Sequence, residues 1–305
     1  MSFFDYLKNA FILIIFLQIA PSFFKGIGKQ YRRYLFPRTR FGLIEVKGVV
    51  YNSDRYNKYL KKYFEDETIK AILLKMECPG GASGTAHAIF NEIVKLKQKY
   101  PTKPIVTLIE NLCASGGYYI AAATDSIISP ATALIGNIGA QLPYLFQLQK
   151  FLEEYKISYE PIKAGKYKTS VDPFITITDD DKQMLQSVVD NLYAQFMQDI
   201  VKTRKLSLND KDKWAEGKLF TGKQAHALGL IDTIGSASDA VSIMREEAMV
   251  EKNQKIEWVR PVQKTSLWSL FSGREQNGES GSMFSAFANQ LCDTVENRYL
   301  ARKAF

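Results

Sequence analysis

Ile105-Val106-Thr107-Leu108-Ile109 and, after three intervening residues, Cys113-Ala114-Ser115-Gly116-Gly117-Tyr118-Tyr119 decide how this chain is read. A short apolar run rich in β-branched residues predicts a buried strand. The Gly-Gly pair followed by Tyr118 to Ala123 predicts a tight turn into a short helix. At such a junction the turn side chain is exposed, and the first helical N–H groups and the positive end of the helix dipole converge beside it. Ser115 holds that place, and Gly116 and Gly117 let another backbone approach closely. The same residues also suit an ordinary helix N-cap, with the Ser115 hydroxyl serving the helix alone. Cys113 is a rival nucleophile two residues nearer the strand, expected to be buried.

Working outward, the same alternation recurs. Phe41 to Val50 predicts a strand, Asp54 to Phe64 a helix, and Ala71 to Leu74 a buried strand running into Pro79-Gly80-Gly81. Thr85 to Leu96 predicts a helix and Ser126-Ile127-Ile128 another strand. Strands alternating with helices through short loops imply βαβ units and an α/β fold with a mostly parallel sheet. Ligands collect at the carboxyl ends of such strands, where both Gly-Gly turns fall. A glycine N–H in the first turn can donate to an oxyanion, although a plain turn explains Pro79-Gly80-Gly81 as well. Thr178 opens a long helix with capping-box spacing to Asp181. Its apolar stripe from Met184 to Val201 is expected to pack in the core. Thr221 to Leu228 and residues 236–250 predict two further helices, and Phe284, Phe287, Leu291 and Val295 a terminal one.

A serine attacks only when a base removes its proton. The two histidines, His87 and His226, lie in no nucleophile-like setting, which leaves lysine. Ala164-Gly165-Lys166-Tyr167-Lys168-Thr169 presents one after a glycine turn. A lysine ordinarily titrates near ~10.4, so working neutral near pH 7 takes about 3 units, or roughly 4–5 kcal/mol. Burial without a carboxylate supplies that. Lys163 and Lys166 would help by like-charge repulsion, and Asp172 would oppose it by pairing. A solvated lysine is the plain alternative.

The net charge of +8 is concentrated: Lys25, Lys29, Arg32, Arg33, Arg38 and Arg40 lie within sixteen residues without an acid among them, leaving a nearly neutral body. A basic face on the folded domain, as nucleic-acid binding needs, is not expected. The belt follows an apolar segment, Phe11 to Phe24. As a helix this spans roughly 21 Å, short of the ~30 Å hydrocarbon core unless extended back toward Phe3. The expectation is an uncleaved membrane anchor, with an in-plane helix, a buried helix and a cleaved signal peptide as alternatives. The belt would meet anionic headgroups and, by the positive-inside rule, favours a cytoplasmic catalytic domain. Cys78, Cys113 and Cys292 form neither a disulfide framework nor a zinc site, and no metal or cofactor is expected. The expected division is residues 1–40 for anchor and belt, 41–250 for the catalytic domain, and 251–305 for a C-terminal extension.

Pro79-Gly80-Gly81, Ala114-Ser115-Gly116-Gly117-Tyr118-Tyr119, Gly136-Asn137-Ile138-Gly139 and Gly165-Lys166-Tyr167-Lys168, in this order and spacing, resemble the signal peptide peptidase A family over residues 41–250. The resemblance implies a fold akin to the Clp protease and crotonase group and a serine peptidase with a Ser/Lys dyad. By motif position Ser115 is the nucleophile and Lys168 the general base. Gly81 and Gly116 are the oxyanion donors, beside Gly80. It further implies ring-shaped homo-oligomers with nucleophile and base from neighbouring subunits, and remnant signal peptides or other unfolded segments as substrates. The family has Gly-Ser-Ile-Gly where this chain has Asn137; the asparagine carbonyl can still accept from the lysine. A crotonase-like acyl-CoA enzyme and a catalytically silent membrane assembly protein are the competing classes.

Overall fold

The computed structural model describes residues 38–261. In chain order these form β1 (Thr39–Lys47), α1 (Asp54–Glu65), β2 (Ile69–Cys78), α2 (Ser83–Lys99), β3 (Ile105–Ala114), α3 (Gly116–Ala121) and β4 (Ser126–Ser129). They continue with β5 (Leu134–Gly136), α4 (Gln149–Glu154), α5 (Asp179–Arg204), a 3-10 turn at Leu208–Asp210, α6 (Lys211–Trp214) and β6 (Leu219–Thr221). The last are α7 (Gly222–Ala227), β7 (Thr233–Ile234), α8 (Ala237–Glu247) and β8 (Ile256–Val259). The apolar segment Phe11–Phe24, most of the basic belt and the expected terminal helix lie outside the described residues. Among the described residues no helix is long and apolar enough to cross a membrane.

The sheet runs β6-β5-β3-β2-β1-β8, with β4 beside β3 and β7 beside β4. Every pairing is parallel except β5 with β6. This is the mostly parallel α/β architecture that the alternation of elements predicts. Alternate residues of each strand face opposite sides, and both sides are covered. Ile44, Val46, Ile72, Leu74 and Met76 pack with Leu60, Phe64, Ile89 and Ile93 of α1 and α2. Phe41, Leu43, Ala71, Leu73 and Val106 pack on the other face with Ala240 and Met244 of α8. Burial on both faces explains why these strands read as apolar runs rather than as alternating ones. β8 pairs with β1 from Thr39 to Gly42, so the sheet continues past the residue-250 boundary expected from sequence.

β3 divides its neighbours. Val106–Leu108 pair with β4, whereas Leu112–Ala114 pair with β5. The sheet therefore forks at its carboxyl end, beside the turn at Ser115. The capping box of α5 forms as its spacing predicts: Asp181 N–H donates to Thr178 Oγ1 at 3.1 Å and Thr178 N–H to Asp181 Oδ2 at 3.0 Å. The stripe on α5 departs from its expected core role. Phe196 and Ile200 are buried, but Val188 and Leu192 in the first half are exposed at 43% and 37%.

Candidate active site

β2 and β3 lie side by side and parallel, with Cys78 opposite Cys113, so the turns that follow them open on one edge. Gly80 adopts φ +132°, and a Cβ there would lie 3.0 Å from Ser115 Cβ and 3.3 Å from its Oγ. A Cβ on Gly81 would stand 2.1 Å from the Val50 carbonyl oxygen. That close approach is fixed by two bonds: Val50 N–H donates to Gly80 O at 2.9 Å and Ala82 N–H to Val50 O at 3.0 Å. A Cβ on Gly116 would lie 3.2 Å from the Gly81 nitrogen. Ser115 Oγ and the N–H groups of Gly81 and Gly116 are thus neighbours. Neither N–H donates to a backbone carbonyl among the described residues. The approach needs glycine: a Cβ on Gly81 would strike Val50, one on Gly80 would press on Ser115, and one on Gly116 would press on Ala86 and the Gly81 nitrogen.

Ser115 itself has φ 51° and ψ −127°, a conformation that costs a non-glycine residue ~1–3 kcal/mol. Its surroundings enforce it. Ser115 N–H donates to Gly136 O at 2.8 Å, and its carbonyl accepts from Tyr119 N–H at 2.9 Å. Ser115 occupies the N-cap position of α3, yet its hydroxyl makes no capping bond, so the plain N-cap reading fails. α3 is pinned from behind. Tyr118 Oη donates to Leu230 O at 2.8 Å, and Tyr119 Oη to Asp199 Oδ2 of α5 at 2.5 Å, with the Tyr119 ring stacked 4.2 Å from Phe196.

The other candidates fall away. Cys113 is completely buried, and burial holds its thiol well above the ordinary range, so it carries no nucleophilic thiolate. Burial likewise pushes Cys78 up to about 11, and its Sγ donates to Gly80 O at 3.3 Å. His226 is exposed on α7. His87 pairs with Asn91 Nδ2 at 3.0 Å and stands 3.7 Å from Asp199, behind α3.

Asn137 directly follows the carbonyl that holds Ser115 and has φ 50°. Its N–H donates to Lys218 O at 2.7 Å and its Nδ2 to Gly217 O at 3.0 Å. The Oδ1 acceptor is left as the open end of the side chain. Lys168 is placed quite differently. It is exposed, in a turn where its N–H donates to Gly165 O at 3.2 Å. Among the described residues nothing supplies the burial that a neutral lysine requires. Its segment folds onto itself: Leu148 N–H donates to Pro173 O at 2.7 Å, Ile177 N–H to Gln147 Oε1 at 3.1 Å, and Lys163 Nζ to Thr169 Oγ1 at 2.7 Å. Lys166 pairs with Asp180 and Ser170 donates to Asp181, both in the first turn of α5. Asp172 accepts from Tyr159 Oη at 2.7 Å and Phe174 N–H at 3.0 Å, so its carboxylate is engaged away from Lys168.

Three supports of the site escape sequence reasoning: Val50, which clamps Gly81; the Gly217 carbonyl, which holds Asn137; and Asp199, which anchors Tyr119. Asp199 leaves a trace, an acid set between Phe196 and Ile200 on an apolar stripe. The other two act through backbone atoms, which residue types do not report.

The model of Peptidase family S49 matches residues 97–251, just over half of the chain. The match includes Ser115, Asn137 and Lys168 and begins after Gly80 and Gly81. A putative protease of Methanocaldococcus jannaschii is 30% identical over 203 residues, covering 67% of this chain and 64% of that protein. A putative signal peptide peptidase SppA of Enterococcus faecium is 30% identical over 208 residues, covering 68% and 60%. A putative protease of Synechocystis is 31% identical over 205 residues, covering 67% and 72%. The chain thus spans a little under two thirds of the first two relatives. With the family model and these relatives agreeing, the chain belongs to peptidase family S49, the serine peptidase family of signal peptide peptidase A type.

Proposed function

We propose that the chain is a membrane-associated serine endopeptidase that cleaves remnant signal peptides or other unfolded peptides through Ser115 and Lys168, the lysine coming from a neighbouring copy in a homo-oligomeric ring. The observation that carries the reading is Ser115 held at φ 51° beside two uncommitted glycine N–H groups. Neutral Lys168 Nζ takes the Ser115 proton as Oγ attacks the peptide carbonyl. The N–H groups of Gly81 and Gly116 hold the resulting oxyanion, and each such donor supplies roughly 2.7–4 kcal/mol. The lysine ammonium passes its proton to the leaving amine. Now neutral, the lysine amine removes a proton from water as the water oxygen attacks the acyl-enzyme ester, and it returns that proton to Ser115 Oγ as the C–O bond breaks and the acid product leaves. Asn137 Oδ1, with Nδ2 already engaged, accepts from the lysine and aims it. Contact between copies supplies the burial that Lys168 lacks alone, and the exposed apolar side chains around it, among them Tyr155, Ile162 and Val171, suit that contact.

Complementation tests both halves at once. Ser115→Ala and Lys168→Ala proteins are each expected to be inert. Refolded or coexpressed together, they should regain part of the parent's peptide cleavage and its labelling by a fluorophosphonate at Ser115. A parent that cleaves peptides at an unchanged rate after Ser115→Ala refutes the nucleophile. A mixture that stays inert, although mixed assemblies form, refutes a lysine supplied across copies.

A further inference from the structure

We propose that the end of the sheet opposite Ser115 is a docking face for an anionic lipid surface. The parallel sheet gives the body two chemically distinct ends. Thr39 pairs with Ile256 and Arg40 with Ile69, and Ile105 sits beside Ile72, so four strands start at one end. α1 and α2 return antiparallel to the strands, so their last turns lie there too. Lys103 Nζ locks this corner by donating to Tyr63 O, Phe64 O and Asp66 O at 3.0, 2.7 and 2.7 Å, and Phe64 stacks on Tyr100 at 6.1 Å.

This end carries an excess of positive charge. Arg38, Lys61, Lys62, Lys70, Lys95 and Lys99 are exposed. Asp66 is neutralised locally by Arg40 at 3.6 Å and Asp125 by Lys97 at 2.8 Å, and Glu247 is held by Ser126, which leaves Glu65 and Glu67. Beside β8, Glu246, Glu251 and Glu257 stand against Lys252 and Lys255. Lysines in the last turn complement the helix dipole, and that accounts for Lys62 and Lys99. Arg38, Lys61, Lys70 and Lys95 need another reason. At the other end two pairs cancel, Lys47 with Glu77 at 3.8 Å and Lys75 with Glu110 at 2.9 Å.

The sequence before β1 identifies the occupant. The chain enters this same end directly from Lys25, Lys29, Arg32 and Arg33, which follow the apolar run Phe11 to Phe24. Cations within about 8 Å of an anionic bilayer feel its surface potential, so the folded face extends the belt that precedes it. One consequence follows for the substrate. Strands of ten residues at ~3.3 Å per residue set Ser115 about 30 Å from the docked end. A scissile bond must then stand clear of the bilayer rather than lie within it. The docking face is independent of the peptidase reading; the consequence for substrate rests on it.

The test uses the full chain on vesicles of neutral lipid with and without phosphatidylglycerol. Reversing Arg38, Lys61, Lys70 and Lys95 together to Glu should lower partition to the anionic vesicles at least ~10-fold at low salt. Partition to neutral vesicles and cleavage of a soluble peptide should stay at parent levels. Separately, in a Cys292→Ser background, a fluorophore on Lys99→Cys should be quenched by nitroxide headgroup lipids and one on Asn52→Cys should not. The label readout needs no charge reversal, so it stands even if the fourfold variant misfolds. Parent-like partition of the reversed protein overturns the proposal, as does stronger quenching at position 52 than at 99. A loss confined to RNA binding assigns the charge to a different partner and also overturns it. A parent that docks as expected but cleaves no peptide would count against the peptidase reading alone.

Discussion

Ser115 and Lys168 stand on two regions built to different rules. Around Ser115 four segments of one chain close on each other: Val50 clamps Gly81, Gly80 abuts the hydroxyl, Gly136 holds the Ser115 N–H, and Tyr119 reaches Asp199. A strained residue persists only where its surroundings over-determine it, and here they do. The segment from 144 to 178 finds its hydrogen bonds within itself and at the start of α5, and leaves apolar side chains in solvent, Tyr144 at 69%, Tyr155 at 62% and Ile162 fully. One region is complete in a single chain. The other is organised but leaves apolar side chains in solvent, and it is there that the proposed contact between copies would form.

The largest separation of the two regions comes from Ser115→Gly. Turnover should fall by at least ~10³-fold, since a missing nucleophile leaves only binding and oxyanion contributions. Glycine relieves the strain at φ 51°, offset by its greater freedom in the unfolded chain, so unfolding free energy should hold or rise by up to ~1–2 kcal/mol. Denaturant melts beside peptide-cleavage rates read both. A clear loss of stability would show that Ser115 is structural rather than strained for function. Next in size is Gly81→Ala. The new methyl would meet Val50 O at 2.1 Å, and backbone must shift to admit it, costing ~1–3 kcal/mol of unfolding free energy, read as a lowered urea midpoint. A parent-like midpoint would mean the clamp at Val50 is loose.

The sheet was legible in the sequence because both of its faces are buried: apolar runs such as Ala71–Leu74 and Ile105–Ile109 have no other use. The Gly-Gly turns were legible because close approach demands glycine. β5, β6 and β7 were not, since strands of two or three residues carry too little period to detect. The first half of α5 misled, because an apolar stripe at helical spacing looks the same whether it meets its own core or another copy. Lys168 was named by motif alone. Nothing in its local residue types distinguishes it from Lys163 or Lys166, each of which has a partner in the fold.

That ambiguity on α5 sets up a smaller effect. Val188→Asp with Leu192→Asp places two charges on the exposed part of the stripe, which ends one turn before the buried Phe196. The monomer's unfolding free energy should move by less than ~0.5 kcal/mol per site, as for surface changes away from packed features. The mass of the assembly in light scattering should drop, and cleavage should drop with it, while the strand-to-helix turn at Ser115 keeps its structure. An assembly of parent mass would remove this face from any contact between copies.

The subtlest difference lies in how the arm is tied to α5. Hydrogen bonds from Ser170 and then Thr178 hold the Asp181 carboxyl down to about 2, below its ordinary 3.8. A carboxyl whose folded-state value is lowered binds its proton more weakly in the folded protein than in the open one. Its contribution is therefore whole above pH ~4 and is lost as pH falls through about 2. Protection from hydrogen exchange, relative to the intrinsic rate at each pH, should fall over that window at Ser170 and Asp172, whose N–H groups donate to Tyr167 O and Thr169 O. Protection at Ser115 and Tyr119 should hold steady, because no carboxyl bonds to their N–H groups. Asp181→Asn should bring the fast arm exchange to neutral pH and flatten its pH dependence. Arm and turn loosening together in that variant would mean that the two regions are one cooperative unit, and that the order of the turn depends on the arm rather than standing without it.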